Sequence, residues 1–252
     1  MIKTPKPRLR RGFYIDLLRA LHSAGIGSPF AAKKVMTPHT DTIQQQQQRH
    51  LLVQLLQKQG ITDQRLLRAI AVVPRHLFMP DALQHKAYEN KAFPIGEEQT
   101  ISQPYTVAYM TTLLEVMPGE KILEIGTGSA YQAALLAEMG ADVYTIERQK
   151  KLFDRYKQFD YLQRYRRLHC FYGDGYKGLP AIAPFDKILI TAAPPGIPEE
   201  LGTQLKTGGW MVAPVGPAGM QRMLRLTKLA NGELTEEVFD KFAFVPMLKG
   251  KQ

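Results

Sequence analysis

Four residues able to do chemistry recur along the middle of this 252-residue chain. Glu124 ends one apolar run, ahead of the turn Gly126-Thr127-Gly128-Ser129-Ala130, and Glu147 closes the next run, twenty-one residues after Gly126. Asp174 lies between Gly173 and Gly175, and Thr191 follows a further apolar run. An apolar run, a glycine turn and then a helical stretch put backbone N–H groups and a helix N-terminus beside any ligand in the turn. An acid at the end of the following run can accept hydrogen bonds from both ribose hydroxyls of a nucleoside cofactor. Asp174, on a third strand end, is placed to accept from an adenine amino group.

The turn also excludes two ligand classes. A dinucleotide fingerprint needs a third glycine where this chain has Tyr131, because the pyrophosphate approaches the backbone closely there. No Lys-Ser/Thr pair follows the turn, so a loop that cradles phosphates is excluded. What remains is a nucleoside cofactor without phosphates whose charged end is an amino acid. S-adenosylmethionine fits, with its ammonium met by Glu124 or nearby carbonyls and its ribose held by Glu147.

The elements that must position these residues are legible in the pattern. Leu51, Leu52, Leu55 and Leu56 recur at helical spacing over 43–59, and Gly60 stops that helix. Thr62 or Asp63 can cap the next helix, which carries Leu66, Leu67 and Ile70. A further helix is expected over 82–88, and residues 93–104 read as a structured loop. Pro104 can open a helix at its first position, which leaves Ser102 or Gln103 at the N-terminus.

Strands are expected over 121–125, 142–146, 168–172, 187–191 and 210–215, and helices over 131–139, 150–161 and 199–205. Two last strands over 223–228 and 238–244 form an antiparallel edge. Alternation of this kind implies an α/β fold with a doubly wound, mostly parallel seven-stranded sheet. Ligands of such sheets sit outside the carboxyl ends of the strands, where Glu124, Glu147, Asp174 and Thr191 all fall.

Charge divides the chain unevenly. The net charge is +10, of which residues 1–50 carry +7, with only Asp16 and Asp41 against nine Lys and Arg. Residues 1–45 are therefore expected to be a basic, flexible extension, and 46–252 a catalytic domain. Within it, 46–118 form a helical cap with the active-site loop and 119–252 the cofactor-binding core. The extension lacks a secretory signal pattern and faintly resembles an organelle transit peptide. A tether to nucleic acid or an acidic surface is its functional reading, a solvated arm its bland one. The Gln44–Gln48 run is either a linker or the exposed start of the next helix. No apolar stretch is long enough to cross a membrane. The single cysteine, Cys170, suits a reducing, cytoplasmic compartment. The six histidines show no ligand spacing, so no metal is expected.

Several segments together resemble the protein-L-isoaspartate(D-aspartate) O-methyltransferase family. They are Val73-Pro-Arg-His-Leu-Phe78, Ala87-Tyr-Glu-Asn90, Pro94-Ile-Gly96, Gln99-Thr-Ile-Ser-Gln-Pro-Tyr105 and Glu124-Ile-Gly-Thr-Gly-Ser129 with Tyr131-Gln132. Gly173-Asp-Gly175, Pro184-Phe-Asp186, Thr191-Ala-Ala193, Gln204-Leu-Lys206 with Gly208-Gly209, Pro214-Val-Gly216 and Phe244-Val-Pro246 follow in the family's order, covering roughly 60–248. The Gln-Thr-Ile-Ser-Gln-Pro segment is far more specific than the glycine turn, which many methyltransferases share.

The resemblance implies a class I S-adenosylmethionine-dependent enzyme that methylates the α-carboxylate of L-isoaspartyl, and of D-aspartyl, residues in damaged proteins. Ser102 matches the active-site serine. Thr100, Ile101, Gly126, Thr127, Gly128, Ser129, Gly175 and Thr191 join Glu124, Glu147 and Asp174 as cofactor-binding positions. Val245 and Pro246, with Ser102, would hold the substrate. Damaged proteins and peptides are the implied partners, and neither a membrane nor a nucleic acid is expected. Ala130 stands where the family commonly has glycine, a change that tightens the pocket or, on a helical backbone, is harmless. Two other readings stay open: a methyltransferase of the same fold with another acceptor, and a catalytically weak relative that acts as a binding protein.

Overall fold

In a computed structural model, residues 41–217 and 219–252 are described. The expectations for the basic extension fall mainly on residues 1–40, outside the described part. Residues 41–252 form one compact unit. It opens with helix α1 (Ile43–Lys58), which the glutamine run enters directly. A reciprocal capping box explains that start: Gln45 N–H donates to the Thr42 hydroxyl at 3.2 Å, and Thr42 N–H to the Gln45 side chain at 2.8 Å. The helix therefore crosses the expected boundary at residue 45. Asp63 caps α2 (Gln64–Val72) through bonds from Arg65 and Leu66 N–H.

The helix expected over 82–88 is a 3₁₀ helix over Asp81–Lys86, and a second one spans Arg75–Phe78. The loop expected over 93–104 contains a small hairpin, β1 (Phe93–Gly96) and β2 (Gln99–Ile101). Its two turn residues, Glu97 and Glu98, both have positive φ, as a two-residue hairpin turn requires. Two glutamates are not the Asn-Gly signal of such a turn, and its strands are too short to show alternation. Helix α3 (Pro104–Leu114) then begins with proline at its first position, as expected.

The main sheet has β3 (Lys121–Ile125), β4 (Asp142–Glu147), β5 (Leu168–Tyr172), β6 (Phe185–Ile190), β7 (Leu205–Val215), β8 (Gln221–Lys228) and β9 (Leu234–Phe242). Their order is β5-β4-β3-β6-β7-β8-β9, parallel from β5 through β7 and antiparallel for the last two. Order reverses between β3 and β4 on one side and β6 on the other, so a switch point opens at the carboxyl end of β3. Helix α4 (Tyr131–Glu138) follows β3, α5 (Lys150–Lys157) follows β4, and α6 (Glu199–Thr203) precedes β7. Helix α5 stops short of the expected 161, and a 3₁₀ turn over Asp160–Arg164 completes that stretch.

Alternation along the strands feeds two buried layers. Ile122, Val143, Leu189 and Val212 join side chains of α1 to α4, including Leu56, Leu66, Met110 and Leu135. Leu123, Ile146, Ile188 and Met211 join Leu201 of α6 and Phe185 on the other side. Both faces are covered, which is why the central strands read as continuous apolar runs. Among the described residues, no helix is long and apolar enough to cross a membrane.

Candidate active site

A cavity of about 470 Å³ lies at the switch point, a size suited to a small-molecule ligand. Its floor is the glycine turn. Gly126 and Thr127 N–H both donate to the Ile146 carbonyl, at 2.9 and 3.1 Å, so the turn hooks onto the end of β4. From the other side the Thr191 hydroxyl reaches the carbonyls of Ile125 and Gly126, at 3.0 and 2.9 Å. Gly128 N–H donates to Glu147 Oε2 at 2.8 Å, and Gln149 N–H to Oε1 at 2.7 Å. Glu147 is thus fixed with lone pairs to spare on the cavity wall; its burial raises its pKa, and the backbone donors oppose that.

Ala130 caps α4 in a left-handed conformation with φ 66°, not the helical one in which its methyl would be harmless. An L-residue there is strained, and alanine at positive φ is destabilising relative to glycine. Ala130→Gly is therefore expected to raise the melting temperature modestly in thermal unfolding, despite the loss of a buried methyl.

The opposite wall is the segment after β2. The hairpin is fastened to α5 by Arg155, which donates to the Ile95 carbonyl at 2.8 Å, and by the Lys151–Glu97 ion pair at 3.1 Å. Ser102 follows at the cavity edge. It does not cap α3: the cap residue is Gln103, and no side chain of its own fills that role. Asn90 does so from outside, accepting from Tyr105 N–H at 2.9 Å. The Ser102 hydroxyl is therefore not committed to the helix, and its carbonyl accepts from Arg75 at 2.8 Å.

A third wall comes from the segment after β9. Ala193 N–H donates to the Val245 carbonyl and Met247 N–H to the Ala193 carbonyl, both at 2.8 Å. This short parallel pairing holds Val245 and Pro246 against the end of β6. Beyond them, residues 247–252 cross the ends of β4 and β5. Gly250 N–H donates to Asp174 Oδ2 at 2.9 Å, and Gln252 N–H to the Arg148 carbonyl at 2.8 Å.

Thr100, Ile101, Ser102, Gly126, Thr127, Gly128, Ser129, Glu147, Gly175, Thr191, Val245 and Pro246 all line this one cavity. Glu124 and Asp174 do not. Asp174 caps the turn over Gly175–Lys177 by accepting from Tyr176 N–H at 3.0 Å, and its second oxygen holds Gly250. Glu124 is 0% exposed, and burial first, then the charge of Glu147, pushes its carboxyl up to about 8, with Thr145 opposing. Glu124 therefore lies behind the cavity wall, with its carboxyl shifted toward the neutral form. Met247, Leu248 and Arg148 line the cavity without having been singled out in the sequence. Their place depends on how residues 247–252 fold back, which has no local sequence signal.

The sheet order, the glycine turn hooked to β4 and the acid at its end define the class I S-adenosylmethionine-dependent methyltransferase fold. The sequence profile of the protein-L-isoaspartate(D-aspartate) O-methyltransferase family matches residues 46–252, and the chain belongs to that family. It is 48% identical over 211 residues to the protein-L-isoaspartate O-methyltransferase of Christiangramia forsetii, covering 84% of this chain and 99% of that one. With the enzyme of the same name from Cytophaga hutchinsonii it shares 50% identity over 200 residues, 79% of this chain and 90% of that one.

Among solved structures, a protein-L-isoaspartate O-methyltransferase superposes with a TM-score of 0.70 at 27% identity, over 79% of this chain and 65% of that one. A putative Plasmodium falciparum enzyme of this kind, in complex with S-adenosyl-L-homocysteine, gives the same TM-score at 22% identity, over 80% of this chain and 99% of that one.

Proposed function

We infer that this chain transfers a methyl group from S-adenosylmethionine to the α-carboxylate of L-isoaspartyl residues, and of D-aspartyl residues, in damaged proteins. The methyl ester so formed cyclises to a succinimide, whose hydrolysis returns part of the residue to normal aspartate. One observation carries the reading. The glycine turn with Glu147 and the segment bearing Ser102 face one cavity, so a methyl donor and a carboxylate acceptor can meet there.

The cavity's chemistry suits the cofactor. Gly126 leaves its turn open where a Cβ would come within 2.7 Å of the Thr191 hydroxyl. Glu147 offers carboxylate lone pairs to a ribose, and the N–H groups of Gly126, Thr127, Gly128, Ala130 and Tyr131 already have partners, which suits a ligand without phosphates. When bound, S-adenosylmethionine supplies a methyl on a sulfonium that leaves as a neutral thioether, so the carboxylate oxygen gains its bond with no proton removed.

The protein's task is therefore alignment rather than base catalysis, because the acceptor is already ionised at neutral pH. The Ser102 hydroxyl donates to one carboxylate oxygen and aims the other. Val245 and Pro246, held to Ala193, offer an extended edge for the substrate backbone. Residues 46–118 serve as the cap that presents the acceptor, and 119–252 as the core that holds the donor. The partners are damaged proteins and peptides, and the single cysteine, Cys170, a free and half-buried thiol, goes with a cytoplasmic setting.

Transfer of label from S-adenosylmethionine to matched isoaspartyl and aspartyl peptides tests the reading. Only the isoaspartyl peptide is expected to be labelled, and labelling of neither or of both equally would refute it. Ser102→Ala is expected to lower kcat about 10- to 100-fold by loosening the aim of the carboxylate. The cofactor Kd should stay within about twofold, since the hydroxyl is assigned no part in holding the donor. An unchanged kcat would remove Ser102 from the reaction.

A further inference from the structure

The fold keeps a cation where stability alone does not call for one. Arg75, in the turn after α2, is 0% exposed. No carboxylate among the described residues pairs with it, and burial lowers its pKa to about 10, so it remains charged at neutral pH. Its Nη1 finds no hydrogen-bond partner among the described residues. An unpaired buried charge is a poor stabilising device, and an apolar chain of similar volume generally serves packing as well or better.

What Arg75 does reach is instructive. Its Nη2 donates to the Ser102 carbonyl at 2.8 Å, and its Nε to the Ala87 carbonyl at 2.9 Å. Ala87 begins the segment whose Asn90 caps α3, the helix that starts just after Ser102. The guanidinium also lies 5.0 Å from the ring centroid of Tyr131, the first residue of α4 after the glycine turn. One planar group therefore touches the acceptor segment, the segment that caps the following helix, and the helix that follows the donor turn. Only a guanidinium offers two rigidly spaced donors together with a face to lay on a ring.

We propose that Arg75 is a positioning residue for methyl transfer, fixing the Ser102 backbone relative to the cofactor turn through its bonds to Ser102 and Ala87 and its contact with Tyr131. The proposal rests on the assignment of Ser102 to the acceptor carboxylate. Arg75 touches no reacting atom; it sets where the Ser102 hydroxyl stands. Displacement of a catalytic group by about 1 Å can lower a rate on the order of 100-fold, so a tether on its backbone has a large lever.

The test is a double-mutant cycle of Arg75→Met and Ser102→Ala in the full chain, read as kcat with an isoaspartyl peptide and as KM for S-adenosylmethionine. With Ser102 intact, Arg75→Met is expected to lower kcat about 10- to 100-fold, with KM for the cofactor within about twofold. In the Ser102→Ala background the same change should alter kcat by less than about twofold, because the hydroxyl it acts through is gone. A merely structural arginine would lower kcat equally in both backgrounds, and that result overturns the proposal, as does an unchanged kcat with Ser102 present. The Ser102→Ala single variant separates the two layers: if it keeps full kcat, the assignment of Ser102 fails before Arg75 is judged. Should Arg75→Met not fold, Arg75→Lys enters the same cycle. It keeps the charge but reaches both carbonyls poorly, and the same non-additivity is expected of it.

Discussion

Gly126→Ala is expected to abolish measurable methyl transfer and to weaken S-adenosylmethionine binding at least about 100-fold, the equivalent of roughly 3 kcal/mol. Gly126 holds φ at 100°, a region that side chains rarely adopt, and strain of this kind is worth about 1–3 kcal/mol. Its new Cβ would stand 2.7 Å from the Thr191 hydroxyl oxygen. That hydroxyl cannot step aside freely, because it holds the carbonyls of Ile125 and Gly126. Losing those bonds adds about 1 kcal/mol each. The damage falls on the turn that carries Gly128 to Glu147, so it strikes the donor site before it strikes the sheet. Calorimetric titration with the cofactor, beside a labelled transfer assay, checks the expectation. Gly196→Ala is the control, since nothing lies within 4 Å of a Cβ there, and both readouts should be unchanged. Retained cofactor binding in Gly126→Ala would mean that the turn is not the donor's floor.

The sheet was readable in the chain because its strands are buried on both faces and separated by short helices, so each shows as an apolar run. The antiparallel edge was readable in part: β8 buries Gln221, Met223, Leu224 and Leu226 and so shows an apolar pattern, whereas the largely exposed β9 shows little and runs over Leu234–Phe242 rather than 238–244. The glycine turn stood out because it carries distinctive local residues, whereas Ser102, which its own position marks only as a candidate helix cap, stood out through the family resemblance of its segment. The hairpin of β1 and β2 was not, since a turn of Glu97 and Glu98 gains its positive φ from tertiary fastening to Arg155 and Lys151 rather than from glycine. Nor was the capping of α3 by Asn90, which comes from fifteen residues away.

One of the two acids that miss the cavity, Glu124, illustrates a finer limit. Sequence places Glu124 and Glu147 alike near strand ends, but register decides their fates. Ile125 pairs with Ile146, so Glu147 stands one position beyond that pair and reaches the mouth of the turn. Glu124 stands one position short of it, beside Thr145, where the sheet and its covering helices bury both. A two-residue difference along the paired strands, invisible without the pairing, separates a cavity wall from a buried proton.

That buried proton should govern how the protein's stability responds to pH. Glu124 ionises near 4.5 in an unfolded chain and near 8 in the folded one, with burial the main cause. Between those values the folded state keeps a proton that the unfolded state has released, so the folded state binds more protons. Stability then falls as pH rises through this window, and the contribution is whole only below about 4.5. Glu147, raised in the same direction by its own burial, adds to the slope. Glu124→Gln keeps the shape and removes the proton, so its unfolding free energy should fall less steeply between pH 5 and pH 8. The difference should amount to a few kcal/mol across the window, on the order of 1.4 kcal/mol for each pH step over which only the unfolded chain has ionised. The slope rather than the absolute stability is the measurement to trust, since the buried amide of Gln brings donors of its own that need acceptors. Urea titrations of both proteins at matched pH values give it directly. Parallel curves would mean that Glu124 is ionised in the fold, and would restore it as a counter-ion for the cofactor's ammonium. Diverging curves leave that ammonium to the carbonyls around the turn, which are the other acceptors the strand ends supply.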